Sequence, residues 1–149
     1  MRQQIMTAAA LCVLATTANA EVVSKIAPTD DVAGTMDKLV AAVEAAGATV
    51  FARVNHGEGA ANASMELYPS ELLIFGNPKL GTPAMQDDPL AGLALPLRVL
   101  VFENADGRAV VAWEPPATFL DGLQIPEDAA YVAQMTEALD KLTDAAVAD

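Results

Sequence analysis

The chain has 149 residues, 53% of them hydrophobic, and carries 20 Asp+Glu against 8 Lys+Arg for a net charge of −12 at pH 7. A surface this acidic repels nucleic acid and anionic lipid headgroups at long range, which argues against nucleic-acid and membrane-surface roles. One cysteine, Cys12, and one histidine, His56, allow no disulfide framework and supply little for a metal cage.

Residues 1–20 read as a secretory signal peptide. Arg2 is followed by an apolar stretch from Ile5 to about Thr17 and then by Ala18-Asn19-Ala20, a small-x-small cleavage site. The stretch falls short of the roughly 20 residues that a membrane span needs, and no other run reaches that length. The expectation is a periplasmic or secreted chain from Glu21 to Asp149, one domain without cysteine and without membrane insertion after cleavage. Its acidic residues are scattered, as suits solubility.

Glu21 to Ile26 is a first strand, ended by Pro28. Thr29 or Asp30 then caps a helix whose apolar stripe is Val32, Met36, Leu39, Val40 and Val43, stopped by Gly47. Thr49 to Val54 is a strand with Val50, Ala52 and Val54 on one face and Phe51 and Arg53 on the other. It empties into a glycine-broken loop, Asn55 to Gly59, and Ala63 to Leu67 is read as a further extended segment.

The stretch Glu71 to Glu103 organises the rest. Leu72 to Phe75 is a short apolar strand with no polar face, read as covered on both sides. A long excursion punctuated by Pro78, Pro83, Pro89 and Pro96 follows, with Thr82-Pro83 as the start of a short helix and Leu90 to Pro96 as loop. Connections of about twenty residues are seldom idle. The apolar residues Leu80, Met85, Leu90, Leu93 and Leu95 predict that this one is packed down. Leu97 to Glu103 returns as a strand, Asn104-Ala105-Asp106-Gly107 makes a hairpin turn, and Arg108 to Trp113 runs back antiparallel. Phe119, Leu120, Leu123 and Ile125 cover an edge or end of the sheet. Pro126-Glu127-Asp128 opens a last helix with the stripe Tyr131, Met135, Leu139 and Leu142, and residues 145–149 fray.

The pattern predicts an α+β two-layer sandwich, β-α-β-β-β-β-α, with one mixed or antiparallel sheet of four to five strands and two helices on one face. Apolar residues then remain on the opposite face, for a second copy or the folded-down loop to cover.

Glu71-Leu72-Leu73-Ile74-Phe75-Gly76-Asn77-Pro78-Lys79, Gly81-Thr82-Pro83, Asp88-Pro89-Leu90-Ala91-Gly92-Leu93 and Leu95-Pro96-Leu97-Arg98-Val99-Leu100-Val101 together resemble the family called domain of unknown function 302. The resemblance runs from about Glu21 to Ala146. Val54-Asn55-His56 is similar to that family's aliphatic-acid-His signature, with asparagine in place of the acid. The resemblance implies the same two-layer fold and a dimer, and no established activity. One branch of the family has cysteines where this chain has Gly76 and Leu97, so the thiol and soft-metal chemistry of that branch is not expected here. A second histidine before the last helix is also replaced, by Leu120-Asp121-Gly122-Leu123.

Candidate site residues are few. His56 could carry a proton or hold a single metal ion, and a zinc site would have to recruit Glu58 or Glu66. Asn77, Lys79 and Thr82 surround the expected helix start, where free amides and the lysine charge could take a small anion. No nucleophile motif surrounds Ser24, Ser64 or Ser70. The expectation is a non-enzymatic ligand- or partner-binding homodimer without cofactor or metal, its ligand near His56, Asn77, Lys79 and Thr82. The rivals are a hydrolase or isomerase using His56 as general base, with Lys79 steadying negative charge, and a metal or haem carrier with His56 as ligand.

Overall fold

A computed structural model describes residues 21–149; residues 1–20, read above as a signal peptide, and with them Cys12, lie outside the described residues. The elements are β1 (Val23–Ile26), α1 (Val32–Ala45), β2 (Thr49–Asn55), α2 (His56–Asn62), β3 (Ser70–Gly76), α3 (Pro78–Asp87), α4 (Ala91–Ala94), β4 (Leu97–Glu103), β5 (Ala109–Trp113), α5 (Pro116–Phe119) and α6 (Ala130–Ala146). The five strands form one antiparallel sheet in the order β1-β5-β4-β3-β2. Helices α1 and α6 pack against each other over it, giving the expected α+β sandwich.

The core lies between these two layers. Met36, Leu39 and Val43 of α1 meet Leu73, Phe75, Val99, Val101 and Val111 of the sheet and Met135 and Leu139 of α6, all nearly fully buried. Alternation along β3 is strict: Glu71, Leu73 and Phe75 are buried, while Ser70, Leu72 and Ile74 are half-buried on the other side. Leu72 to Phe75 is therefore covered on one face, because the two long helices share a side and nothing equivalent lies opposite.

The alternation expected for β2 breaks at Phe51. Val50 pairs with Phe75 and Ala52 with Ile74, so Phe51 is the extra residue of a β-bulge. Beyond it Arg53 pairs with Leu73 and joins Val50 on the helix side, whereas Ala52 and Val54 face away. Arg53 thereby reaches both Glu71 of β3, through Nε, and Asp37 of α1, 2.6 Å from its terminal nitrogen. The two acids hold the guanidinium pKa above its ordinary value, the Glu71 hydrogen bond contributing most.

Several boundaries differ from the sequence reading, each for a local reason. Asp31, not Thr29 or Asp30, caps α1, its Oδ1 accepting from the Gly34 amide at 2.8 Å. Asn55 caps α2 in the same manner by accepting from Glu58, so the expected loop Asn55 to Gly59 is mostly helix. Ala63 to Leu67 is irregular rather than extended, for β3 already has both neighbours in β2 and β4. Helix α3 starts at Pro78, not at Thr82-Pro83: Asn77 Oδ1 accepts from the Lys79 amide at 3.0 Å, and Pro83 is carried within the helix. Ala91 to Ala94, expected as loop, is a single helical turn. Pro126 to Asp128 forms a turn before α6 rather than its first turn, closed by the Ala129 amide donating to the Pro126 carbonyl at 3.0 Å.

The excursion between β3 and β4 is packed down through Leu80, Leu95, Ala84 and Ala91, onto α6 and the α5 region rather than over the sheet face; Leu90 and Leu93, expected to pack with them, are instead 58% and 84% exposed. Ala84, Ala91 and Leu120 form a second small core, with Phe119, Leu123, Ile125 and Val132 around it. Two adjacent acids fasten it: Tyr131 donates its hydroxyl to Asp87 at 2.7 Å, and Asp88 accepts from the amides of Gln124 and Leu90 at 3.0 and 2.9 Å. Those two amide bonds hold the Asp88 carboxyl below the usual carboxylate range.

Candidate functional site

The bulge, the end of β3 and the start of α3 converge on one hollow of about 350 Å3. Phe51, Leu80, Met85, Leu95, Leu97 and Met135 supply most of its wall, and Gly76, Pro78, Gly81 and Pro96 the rest. Asn77 and Thr82 are its polar lining residues. No charged side chain lines it. Its size is near the lower end of small-molecule sites, which are mostly apolar with a few placed polar groups.

Two glycines keep this space open. A methyl group at Gly76 would sit 3.3 Å from Phe51 Cε2 and 3.5 Å from the Pro96 side chain. At Gly81 it would project between Leu95 Cδ1 and Met85 Cε, 3.7 and 4.0 Å away, both wall atoms of the hollow. Glycine within a helix costs about 1 kcal/mol relative to alanine, so Gly81 weakens α3 locally while leaving the cavity wider. Phe51 and Met85, at the rim, are 56% and 40% exposed.

A second depression of about 280 Å3 shares Gly76, Asn77, Leu80 and Leu97 with the first and continues toward α6. Its polar groups include Glu137 and Lys141, which pair with each other at 2.6 Å; that bond lowers the Glu137 pKa.

The sequence candidates do not assemble into one site. Asn77 and Thr82 line the main hollow, but Lys79 is exposed on α3 and His56 is exposed at the far end of the sheet. In the β2–β3 ladder Thr49 pairs with Gly76 and Asn55 with Glu71, so His56 and Asn77 lie beyond opposite ends of β3. Seven residues at about 3.4 Å each put roughly 20 Å between them. The expected anion pocket at the helix start is also filled from within. Pro78 has no N–H, the Lys79 amide is taken by Asn77 Oδ1, and the Leu80 and Gly81 amides donate to the Asn77 carbonyl at 2.9 and 3.1 Å. Among the described residues, no three His, Cys, Asp or Glu side chains gather as a metal site.

Phe51, Met85 and Met135 escaped the sequence reading as site residues. The bulge that turns Phe51 toward Gly76 leaves no mark in a run of alternating residues, and Met135 falls on an ordinary core stripe. The available hint was Gly81, a glycine close to two prolines in a stretch otherwise rich in leucine.

Comparison with known proteins adds the following. Residues 24–146 match the family described as domain of unknown function DUF302. A crystal structure of an uncharacterized conserved DUF302 protein from Bacillus stearothermophilus superposes with a TM-score of 0.75, covering 84% of this chain and 97% of that one at 17% identity. That identity speaks for the fold alone. Two curated relatives are 40% identical over 107 residues, 70% of this chain: the fluoride-specific ion channel FluC 1 of Brucella suis and FluC 2 of Brucella melitensis. The match takes in 42% and 40% of their respective lengths, so the chain spans about two fifths of these relatives.

Proposed function

The chain belongs to the DUF302 family, and from the geometry above we propose that it is an exported, non-enzymatic binding module that works as a homodimer. The observation that carries this reading is the bare sheet face. Val54, Leu72, Leu100 and Ala112 form one row across four strands, flanked by Ala52 and Ile74 on one side and by Phe102, Val110 and Ile26 on the other. Ile26 and Val54 are 44% and 37% exposed, Leu72, Ile74, Leu100 and Phe102 are half-buried, and only Val110 and Ala112 are already shielded by their neighbours. An apolar array of this extent marks an interaction surface.

A second copy fits it on charge and on area. Arg98 and Glu114 pair with each other on this face at 3.7 Å, so their charges offset on an otherwise acidic chain. At about 3.4 Å per residue and 4.8 Å per strand the sheet presents roughly 500 Å2. Two copies stacked face to face would cover on the order of 1,000 Å2, the lower bound for a specific interface. The self-pairing of one patch is what a two-fold dimer requires.

The separation of His56 from the Asn77 end of the sheet supports a binding role over a catalytic one, since the candidate base has neither the hollow nor Lys79 beside it. Fluoride conduction is named for the Brucella relatives. No helix among the described residues here is long and apolar enough to cross a membrane, so that activity is not carried over.

Light scattering after size exclusion, on the chain starting at Glu21, should give twice the chain mass at micromolar concentration. Leu72→Arg, which places a charge in the middle of the row, should give a monomer that keeps its strand circular dichroism. A wild-type protein that stays monomeric at 100 μM would overturn the dimer. Recovery of the protein in the cytoplasm with residues 1–20 attached would overturn export.

A further inference from the structure

The hollow beside Phe51 differs in kind from the sheet face opposite the helices, because it is concave, bounded by residues of β2, β3, α3, the entry to β4 and α6, and ends in a polar group. Asn77 accepts from the Lys79 amide through its side-chain Oδ1, which leaves its side-chain NH2 to donate. Its remaining capacity is therefore for a hydrogen-bond acceptor. The wall carries no cation and the chain as a whole is strongly acidic, so a carboxylate or phosphate head would be repelled. A volume of about 350 Å3 corresponds to roughly a dozen non-hydrogen atoms at the approximately 30 Å3 share of a water-sized group.

We propose that this hollow binds a neutral amphiphile: an apolar body of about ten carbons lying against Leu80, Met85, Leu95 and Met135, with one accepting head group at Asn77. Met85 suits such a guest, since an unbranched thioether adapts to the shape it meets. Phe51, at the rim, contributes an aromatic face. The inference is independent of the dimer, whose surface lies on the other strand residues.

The test uses the purified protein and a series of straight-chain 1-alkanols from hexanol to tetradecanol, measured by calorimetric titration. Each added methylene should raise affinity about fourfold, the ratio that follows from about 0.8 kcal/mol per buried CH2, until the chain reaches ten to twelve carbons. Beyond that length the gain should stop. Decanoate should bind at least tenfold more weakly than decanol, and inorganic phosphate should give no heat. Gly81→Leu, which fills the hollow from α3, should cost at least tenfold in decanol affinity. If that variant does not fold, Gly81→Ala, whose methyl group meets only ordinary contacts, should cost about threefold. Lys79→Ala, outside the wall, should change nothing. Unsaturable binding, a gain that continues undiminished to tetradecanol, or decanoate binding as tightly as decanol would each overturn the proposal. Alkanol binding unchanged by both Gly81 substitutions would place the guest elsewhere and overturn it as well.

Discussion

Arg53→Met tests how much a partly buried ion pair between β2 and β3 contributes to the stability of the fold. Glu71 sits on the helix side of β3 with its side chain only 10% exposed, and Arg53 is its ion-pair partner, itself 35% exposed. Breaking a fully buried pair costs about 3–5 kcal/mol, because one charge is left without compensation, whereas an exposed pair is worth about 1 kcal/mol or less. The carboxylate here is close to the buried limit and the guanidinium is partly in water, so the expected loss is about 2 kcal/mol. Most of it comes from the orphaned Glu71, since Asp37 is 71% exposed and returns to solvent. Urea unfolding at fixed protein concentration, followed through the fluorescence of buried Trp113, should show the midpoint falling by roughly 1–2 M at an m-value of about 1–2 kcal/mol/M. Arg53→Met with Glu71→Met should recover most of the loss, as apolar replacement of both partners is often neutral or better. A loss under about 0.5 kcal/mol at pH 7, or a double variant no better than the single one, would refute the reasoning. Both positions face the helices, so the result does not depend on the dimer.

Two further outcomes follow from the same structure. Burial first, and then the hydrogen bond to Asp87, push the Tyr131 hydroxyl up from 10.0 to about 12; a raised acid favours its protonated form in the folded state, so stability should be intact below pH 10 and decline as pH rises toward 12. Spectrophotometric titration should show one tyrosine ionising late, and Tyr131→Phe should remove it together with that part of the alkaline decline. Thr35 is fully buried with its hydroxyl unpaired, so Thr35→Val, similar in shape and equally β-branched, should stabilise the fold by about 1 kcal/mol, read as a rise of a few degrees in Tm.

The two long helices, the hairpin at Asn104 to Gly107 and the strands on either side of the proline-rich excursion were legible because each rests on local signals: a 3.6-residue stripe, a glycine at positive φ, an apolar run bounded by turn residues. The positions of Gly47 and Gly107, at φ +73° and +74°, show two of those signals at work. What could not be read was decided by competition between neighbours. Asn77 and Thr82 are both good caps and each precedes a proline, so local signals alone did not choose between them; Asn77 caps the helix and Pro83 is carried inside it. At α1 it is the later of two adjacent acids, Asp31 rather than Asp30, that caps the helix. The placement of Arg53 depended on an extra residue that only a partner strand can define. Nothing in the run Asp87-Asp88-Pro89 marks these acids for distant partners, yet each has one more than thirty residues away in sequence, Tyr131 and Gln124. The hollow was illegible for the same reason: its wall draws on β2, α3, the return to β4 and α6, and none of these segments names the others.

The bulge at Phe51 has a consequence for what the sheet refuses to do. A sheet with two open borders invites lateral recruitment of further strands, chain after chain, and this chain has no disulfide within the described residues to restrain such growth. Here one border, β1, is only four residues long, and the other, β2, is kinked midway by its surplus residue, so neither offers a long straight template for a newcomer's backbone. In the proposed dimer, association would use the flat side of the molecule, where pairing closes on itself at two copies, and would avoid the open-ended fibres that so hydrophobic a composition otherwise risks.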